Sequence, residues 1–212
     1  MGRLRGRARG DRVQASSSAG GERVNSLARG AAALVAFVIL TALVAFGALA
    51  SVDRAVLQLA QVPQSAWLDL AASLVTVFGQ AEVTFSVALG VAIVRVRAGR
   101  RDWWIPLLIA VVVLIELVLK FAIPQPPPPE ELSRSVPLLP FIEGPTPYAF
   151  PSGHVGRVAF LVAALRWPAA ASAAIVLVMV LTRIYLAEHW PSDVVGGWLL
   201  GYGIAAAANR RP

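Results

Sequence analysis

Residues 30–50 form a run without a single charged side chain, long enough to cross a hydrocarbon core of about 30 Å as one helix. A second run covers 103–123 and holds only Glu116 and Lys120 near its far end. Shorter apolar runs follow at 81–94, 154–165, 169–186 and 194–208. Two of these need flanking residues to reach the roughly 20 expected of a span. The triplet Ala48-Leu49-Ala50 resembles a signal-peptidase site. However, the preceding run is longer than the usual hydrophobic region of a signal peptide, and its leader is far longer. The reading adopted is therefore a retained first transmembrane helix.

Of the 212 residues, 57% are hydrophobic and only 15% charged, with a formal charge of +7 and no cysteine. Soluble domains carry roughly a quarter charged residues, so this composition argues against one. The lack of cysteine excludes a disulfide framework, thiol catalysis and Cys-based metal sites. A basic excess in a soluble protein would suggest nucleic acid, but here the arginines report topology. Residues 1–29 carry arginines from Arg3 to Arg29 among Gly, Ser and Ala, and such a segment cannot bury enough apolar surface to order itself. It is expected to be a disordered tail, with the membrane domain over 30–212. Arg95, Arg97, Arg100 and Arg101 form a second cluster, Arg166 stands alone, and Arg210 and Arg211 close the chain.

Six spans with a cytoplasmic amino terminus bring all these clusters to the cytoplasmic side, as the positive-inside rule requires. The expected fold is an all-α integral membrane protein with six transmembrane helices. Residues 51–80 then lie outside, with short interfacial helices at 55–62 and 67–78. Making the second of these a full span would put Arg95 to Arg101 outside. Trp67 and Trp190 fall at the outer interface, and Trp103, Trp104 and Trp167 at the inner one, as aromatic belts do. Both termini are then cytoplasmic.

In this topology the remaining polar residues gather at one level. Glu116, Lys120, Arg157, Arg183, Glu188 and Asp193 lie at the outer ends of helices three to six, with the chain's two histidines, His154 and His189. Ionisable groups at membrane depth are costly and usually face a cavity or one another. Single residues could snorkel to water, but convergence from four helices favours a site.

Spacing sharpens the chemistry. Pro151-Ser152-Gly153-His154 precedes the fourth helix. Its free N–H groups suit an anion such as phosphate, with Ser152 adding a hydroxyl and Gly153 allowing close backbone approach. A plain helix cap is an equal reading of this tetrapeptide. His189 and Asp193 are four apart and share a face if a helix starts there. The carboxylate can then hold one ring nitrogen and leave the other as a nucleophile. Arg183 offers a bidentate phosphate fork. Lys120, the only lysine, either pairs with Glu116 one turn earlier or points into the cavity.

These residues resemble the type-2 phosphatidic acid phosphatase superfamily, which includes vanadium haloperoxidases and bacterial lipid pyrophosphate phosphatases. Its signature runs Lys, six residues, Arg-Pro; then Pro-Ser-Gly-His; then Ser-Arg, five residues, His, three residues, Asp. The second part is complete at 151–154. The third matches at Arg183, His189 and Asp193, with Thr182 in place of serine. In the first, Lys120 matches, but Pro127 stands where arginine is expected, before Pro128. Arg157, one turn past His154, and Arg134 in the outer loop are the candidates to replace the missing guanidinium. The likeness covers about 67–201.

The resemblance implies hydrolysis of a lipid phosphate or pyrophosphate at the outer interface, of the phosphatidate, phosphatidylglycerophosphate or polyprenyl pyrophosphate class. His189 would attack phosphorus and become phosphohistidine, Asp193 would orient it, and His154 would serve as general acid. Lys120, Ser152, Gly153 and Arg183 would bind the phosphate, with no metal or other cofactor. The bilayer and a lipid phosphate are the expected partners, and no nucleic acid is. A phosphotransferase would use the same residues, and the altered first motif would also suit a non-catalytic lipid-phosphate binding or transport protein. The haloperoxidase relatives are soluble, which sets them apart from this chain.

Overall fold

The computed structural model describes residues 26–138 and 146–209. Among them the chain is helical, with no strand: α1 (Ser26–Ala45), α2 (Ala50–Ala60), α3 (Ala66–Thr76), α4 (Ala81–Arg97), α5 (Ile109–Ala122), α6 (Gly153–Ala164), α7 (Ala169–Tyr185) and α8 (Pro191–Ala208). A single 3-10 turn, Val77–Gly79, separates α3 from α4. Another, Ile105–Leu108, leads into α5. The tail expected at 1–29 falls outside the described residues up to position 25. Ser26 to Arg29 are helical, so the first helix starts one turn earlier than the apolar run.

A helix stands at each of the six positions expected to span. Length and composition alone support fewer spans than six. Ser26–Ala45 and the continuous helical stretch Ile105–Ala122 are long and apolar enough to cross a membrane. Ala66–Gly79 and Ala81–Arg97 pass only as a pair bent by 43°. α6 has 12 residues, about 18 Å at 1.5 Å per residue, and α8 gives up hydropathy to glycine. The two short helices expected at 55–62 and 67–78 are also present, but α2 starts at Ala50 rather than 55. It takes in Asp53 and Arg54 because an amphipathic helix can bury one and expose the other.

Polarity is inverted relative to a soluble protein. Phe46, Val94, Leu114, Val118 and Phe121 point outward, while Glu116, Arg157, Arg183, His154, His189 and Asp193 are buried. An apolar exterior around charged interior groups is the distribution of a membrane protein.

α6 is the central element: every residue from Gly153 to Ala164 except Ala163 is buried. Its tightest neighbour is α8, and the reason is small residues. A Cβ on Gly201 would lie 2.0 Å from the carbonyl oxygen of Gly156, so the helix backbones touch directly, as small residues permit in membranes. Phe150 (0% exposed) anchors the approach to α6 and stacks on Phe37 of α1, ring centroids 6.0 Å apart.

Arg95 belongs to the cluster read as a topology signal, yet it is buried. Its Nη2 donates to the carbonyl of Ala164 at 3.1 Å and its Nη1 to the carbonyl of Asp102 at 3.1 Å. It therefore caps the C-terminal end of α6, where free carbonyls and the helix dipole favour a cation.

Candidate active site

The first turn of α6 and the segment entering α8 meet directly. The Ser152 N–H donates to the carbonyl of Asp193 at 2.9 Å. α7 ends at Tyr185 with Arg183 in its last turn, and a tight turn then reverses the chain. Ala187 in that turn has φ +54°, a left-handed conformation unusual for a residue with a Cβ. The reversal returns His189 and Asp193 to the level of His154.

His189 and Asp193 share a face, as their spacing requires. The Nδ1 of His189 lies 3.2 Å from Asp193 Oδ2, which also accepts the N–H of Trp190 at 2.9 Å. Asp193 is fully buried, and its Oδ1 has no hydrogen-bond partner. His189, in the turn between α7 and α8, is pushed well below the ordinary imidazole range by burial, and further by Arg183, Lys120 and Arg157. The Nε2 of His154 is buried without a partner.

Both histidines line one cavity of about 230 Å³ together with Lys120, Arg157, Arg183 and Glu116. Glu116 bridges two of the cations: Oε1 lies 3.2 Å from Lys120 Nζ and Oε2 2.9 Å from Arg157 Nη1. The Nε of Arg157 also donates to the Gly79 carbonyl at 3.1 Å. Arg183 lies 3.6 Å from Glu188 Oε2, and Glu188 accepts bonds from Ser133 and Ser135 of the α5–α6 loop. Lys120 both pairs with Glu116 and lines the cavity.

The expected residues separate into those the fold gathers and those it does not. His154, His189, Lys120, Arg157 and Arg183 share the cavity. Ser152 sits at the N-cap of α6 without making a side-chain cap bond, and its buried hydroxyl has no partner, which disfavours the plain-cap reading. Gly153 has a reason that spacing did not suggest: a Cβ there would meet Glu116 Oε1 at 2.0 Å.

Arg134, the other candidate for the missing guanidinium, is engaged elsewhere. It donates to Gln61 Oε1 (2.8 Å), the Gln61 carbonyl (3.0 Å) and the Pro63 carbonyl (3.1 Å), and lies over the Tyr185 ring. Its guanidinium ties the α5–α6 loop to the α2–α3 turn instead of lining the cavity. Pro127 and Pro129 line a different, more apolar cavity beside Trp190.

Asp53 did not emerge from sequence reasoning. Its carboxylate accepts the Ser192 N–H at 2.9 Å and the Ser192 hydroxyl at 2.7 Å, bracing the first turn of α8 from α2. The available signal was a lone acid one turn before Leu57, in the buried stripe of an amphipathic helix. Among the described residues, no group of three or more His, Cys, Asp or Glu side chains gathers as a metal site would require.

Comparison with known proteins agrees with the motif resemblance. Residues 101–211 match the PAP2 superfamily. An undecaprenyl-diphosphatase of Sulfolobus acidocaldarius is 36% identical over 66 residues, covering 29% of this chain and 32% of that protein. The match thus spans about a third of that relative's length. Among solved structures, a transmembrane PAP2 type phosphatidylglycerolphosphate phosphatase from Bacillus subtilis shares the fold. The TM-score is 0.67 at 22% identity, over 83% of this chain and 92% of that one.

Proposed function

The chain belongs to the PAP2 superfamily, and on that premise we propose that it hydrolyses the phosphate or pyrophosphate of a membrane lipid through a phosphohistidine, without a metal ion. The observation that carries this reading is a single small cavity holding two histidines, one of them backed by a buried carboxylate, among three cations.

His189 attacks phosphorus through Nε2, while Asp193 on Nδ1 fixes the tautomer and stabilises the imidazolium that develops. As the N–P bond forms, the bond from phosphorus to the lipid oxygen breaks. His154 delivers its Nε2 proton to that leaving oxygen. Water then attacks phosphorus, His154 takes its proton back, the N–P bond breaks and phosphate leaves. Lys120 and Arg183 carry charge on the equatorial oxygens, assisted by the Ser152 hydroxyl and the Gly153 N–H. Arg157 supplies the guanidinium that Pro127 does not.

The substrate class is phosphatidate, phosphatidylglycerophosphate or polyprenyl pyrophosphate. The undecaprenyl-diphosphatase and the phosphatidylglycerolphosphate phosphatase that this chain resembles support the last two. In the same reading the domain over 30–212 crosses the bilayer six times, both termini and the arginine-rich residues 1–29 are cytoplasmic, and the cavity opens at the extracytoplasmic interface. The inward arginine clusters support that orientation.

Purified protein in detergent micelles, with a chelator present, is expected to release phosphate from one of these lipids and to form an acid-labile phosphoprotein. His189→Ala should abolish both. Undiminished release by that variant would overturn the mechanism.

A further inference from the structure

Glu116 lies outside the reaction just described, yet it is the most heavily engaged acid in the cavity. It stands on α5 one turn before Lys120 and is only 5% exposed. Each carboxylate oxygen faces a different cation, Oε1 toward Lys120 and Oε2 toward Arg157. The same carboxylate lies against Gly153, close enough that a Cβ there would overlap it. The first turn of a helix such as α6 is where free N–H groups and the dipole favour negative charge. The protein's own carboxylate therefore stands beside that turn and holds two of the donors a phosphate would need.

We propose that Glu116 is an internal counter-anion of the phosphate site, holding the Lys120–Arg157 side between turnovers and yielding those contacts to phosphate when it binds. The proposal rests on reading the cavity as a phosphate site. Three cations around a space of about 230 Å³ repel one another, and a bridging carboxylate relieves that repulsion in the absence of ligand. When phosphate enters, it competes with Glu116 for the same N–H groups, and the nearby negative charge opposes it. Free phosphate is also the product, so this opposition shortens its stay. Glu116 thus sets the anion affinity of the site without touching the reacting atoms.

The test is a calorimetric titration of the full-length protein in detergent micelles with inorganic phosphate. Glu116→Gln keeps the shape and removes the charge. Its phosphate dissociation constant should fall roughly tenfold, as expected for deleting one like charge close to the ligand in a partly screened site. Inhibition of lipid hydrolysis by inorganic phosphate should strengthen in parallel. A residue needed only to hold the cations in position would give weaker binding when neutralised, the opposite sign.

Glu116→Asp retains the charge but draws it back by one methylene. It should also tighten phosphate binding, by less, and serves if the Gln variant does not fold. Unchanged or weaker binding in whichever variant folds overturns the proposal, as does failure of both the unaltered protein and that variant to bind phosphate. If the unaltered protein releases no phosphate from any lipid, the hydrolase reading falls, while the titration still decides the role of Glu116.

Discussion

Ser152 and Asp193 are joined main chain to main chain, N–H to carbonyl oxygen, at 2.9 Å. The residue before the first turn of α6 and the residue that holds His189 therefore cannot move independently. Gly201 and Gly156 continue the contact further down the two helices. The distance between His154 and His189 is thus governed by a backbone seam rather than by side chains.

That seam should be sensitive to a single methyl group. In Gly201→Ala the new Cβ would sit 2.0 Å from the Gly156 carbonyl oxygen, and separating the helices should cost about 1–3 kcal/mol. Thermal unfolding in detergent should show the loss. Phosphate release should fall as well, because Asp193 and His154 are carried on the two displaced helices.

His154 should be dispensable in proportion to the leaving group. As general acid it should contribute about 10²–10⁴-fold when an alkoxide must be protonated. His154→Ala should therefore lose about that factor on a lipid phosphate and much less on p-nitrophenyl phosphate, whose phenolate leaves unaided. Equal losses on both substrates would remove the acid role.

The two arginines proposed from sequence should behave differently. Arg157→Gln removes a cavity cation and should reduce kcat/KM by about 10²-fold, equivalent to about 3 kcal/mol of transition-state stabilisation. Arg134→Gln breaks the ties to Gln61 and Pro63 and the contact with the Tyr185 ring, none of which involves the cavity. It should lower the melting temperature while leaving kcat/KM within about threefold, since an exposed-side polar tie is worth about 1 kcal/mol. A larger catalytic loss from Arg134 than from Arg157 would reverse the assignment.

pH should act on His189 with a definite sign. Burial, aided by Arg183, Lys120 and Arg157, holds its pKa below the ordinary value of about 6.5. As the proposed nucleophile the ring must be neutral, so kcat/KM, corrected for ionisation of the lipid phosphate, should persist through that pH and fall only below it. Linkage adds a second expectation. The unfolded chain protonates first as pH falls, so stability present above about pH 6.5 is lost on acidification toward the folded pKa. His189→Gln should flatten that slope in melting temperature.

The turn before His189 stores strain at Ala187, whose φ is +54°. Glycine adopts this region without the Cβ penalty of about 1–2 kcal/mol, against a gain in unfolded-state freedom of about 0.4–1 kcal/mol. Ala187→Gly should therefore stabilise the protein by about 0.5 kcal/mol, read as a small rise in melting temperature.

Much of the cavity's lining was legible because its segments are short and regular. His189 and Asp193 had to share a face once a helix began beside them, since residues four apart do so in any α-helix. The apolar runs marked the helices because burying or lipid-facing surface demands them, and the ionisable groups stood out against that background. The span count was less legible. α6 and α8 are largely buried by neighbours and carry glycine for close packing, and neither reaches the length and hydropathy of a lone span.

Order along the chain was thus sufficient for the helices, the His189–Asp193 pair and the family, because each depends on spacing within one segment. It could not say which of Arg157 and Arg134 lines the cavity, reveal Asp53 under Ser192, or bring Glu116 to Gly153. Each of those depends on which faces of distant helices meet. In this protein that is decided by a glycine seam between α6 and α8 and by the tie from Arg134 to the α2–α3 turn. The sum of charges could not distinguish them either: Arg95 and Arg97 are two residues apart, yet one caps α6 from inside the bundle while the other faces outward.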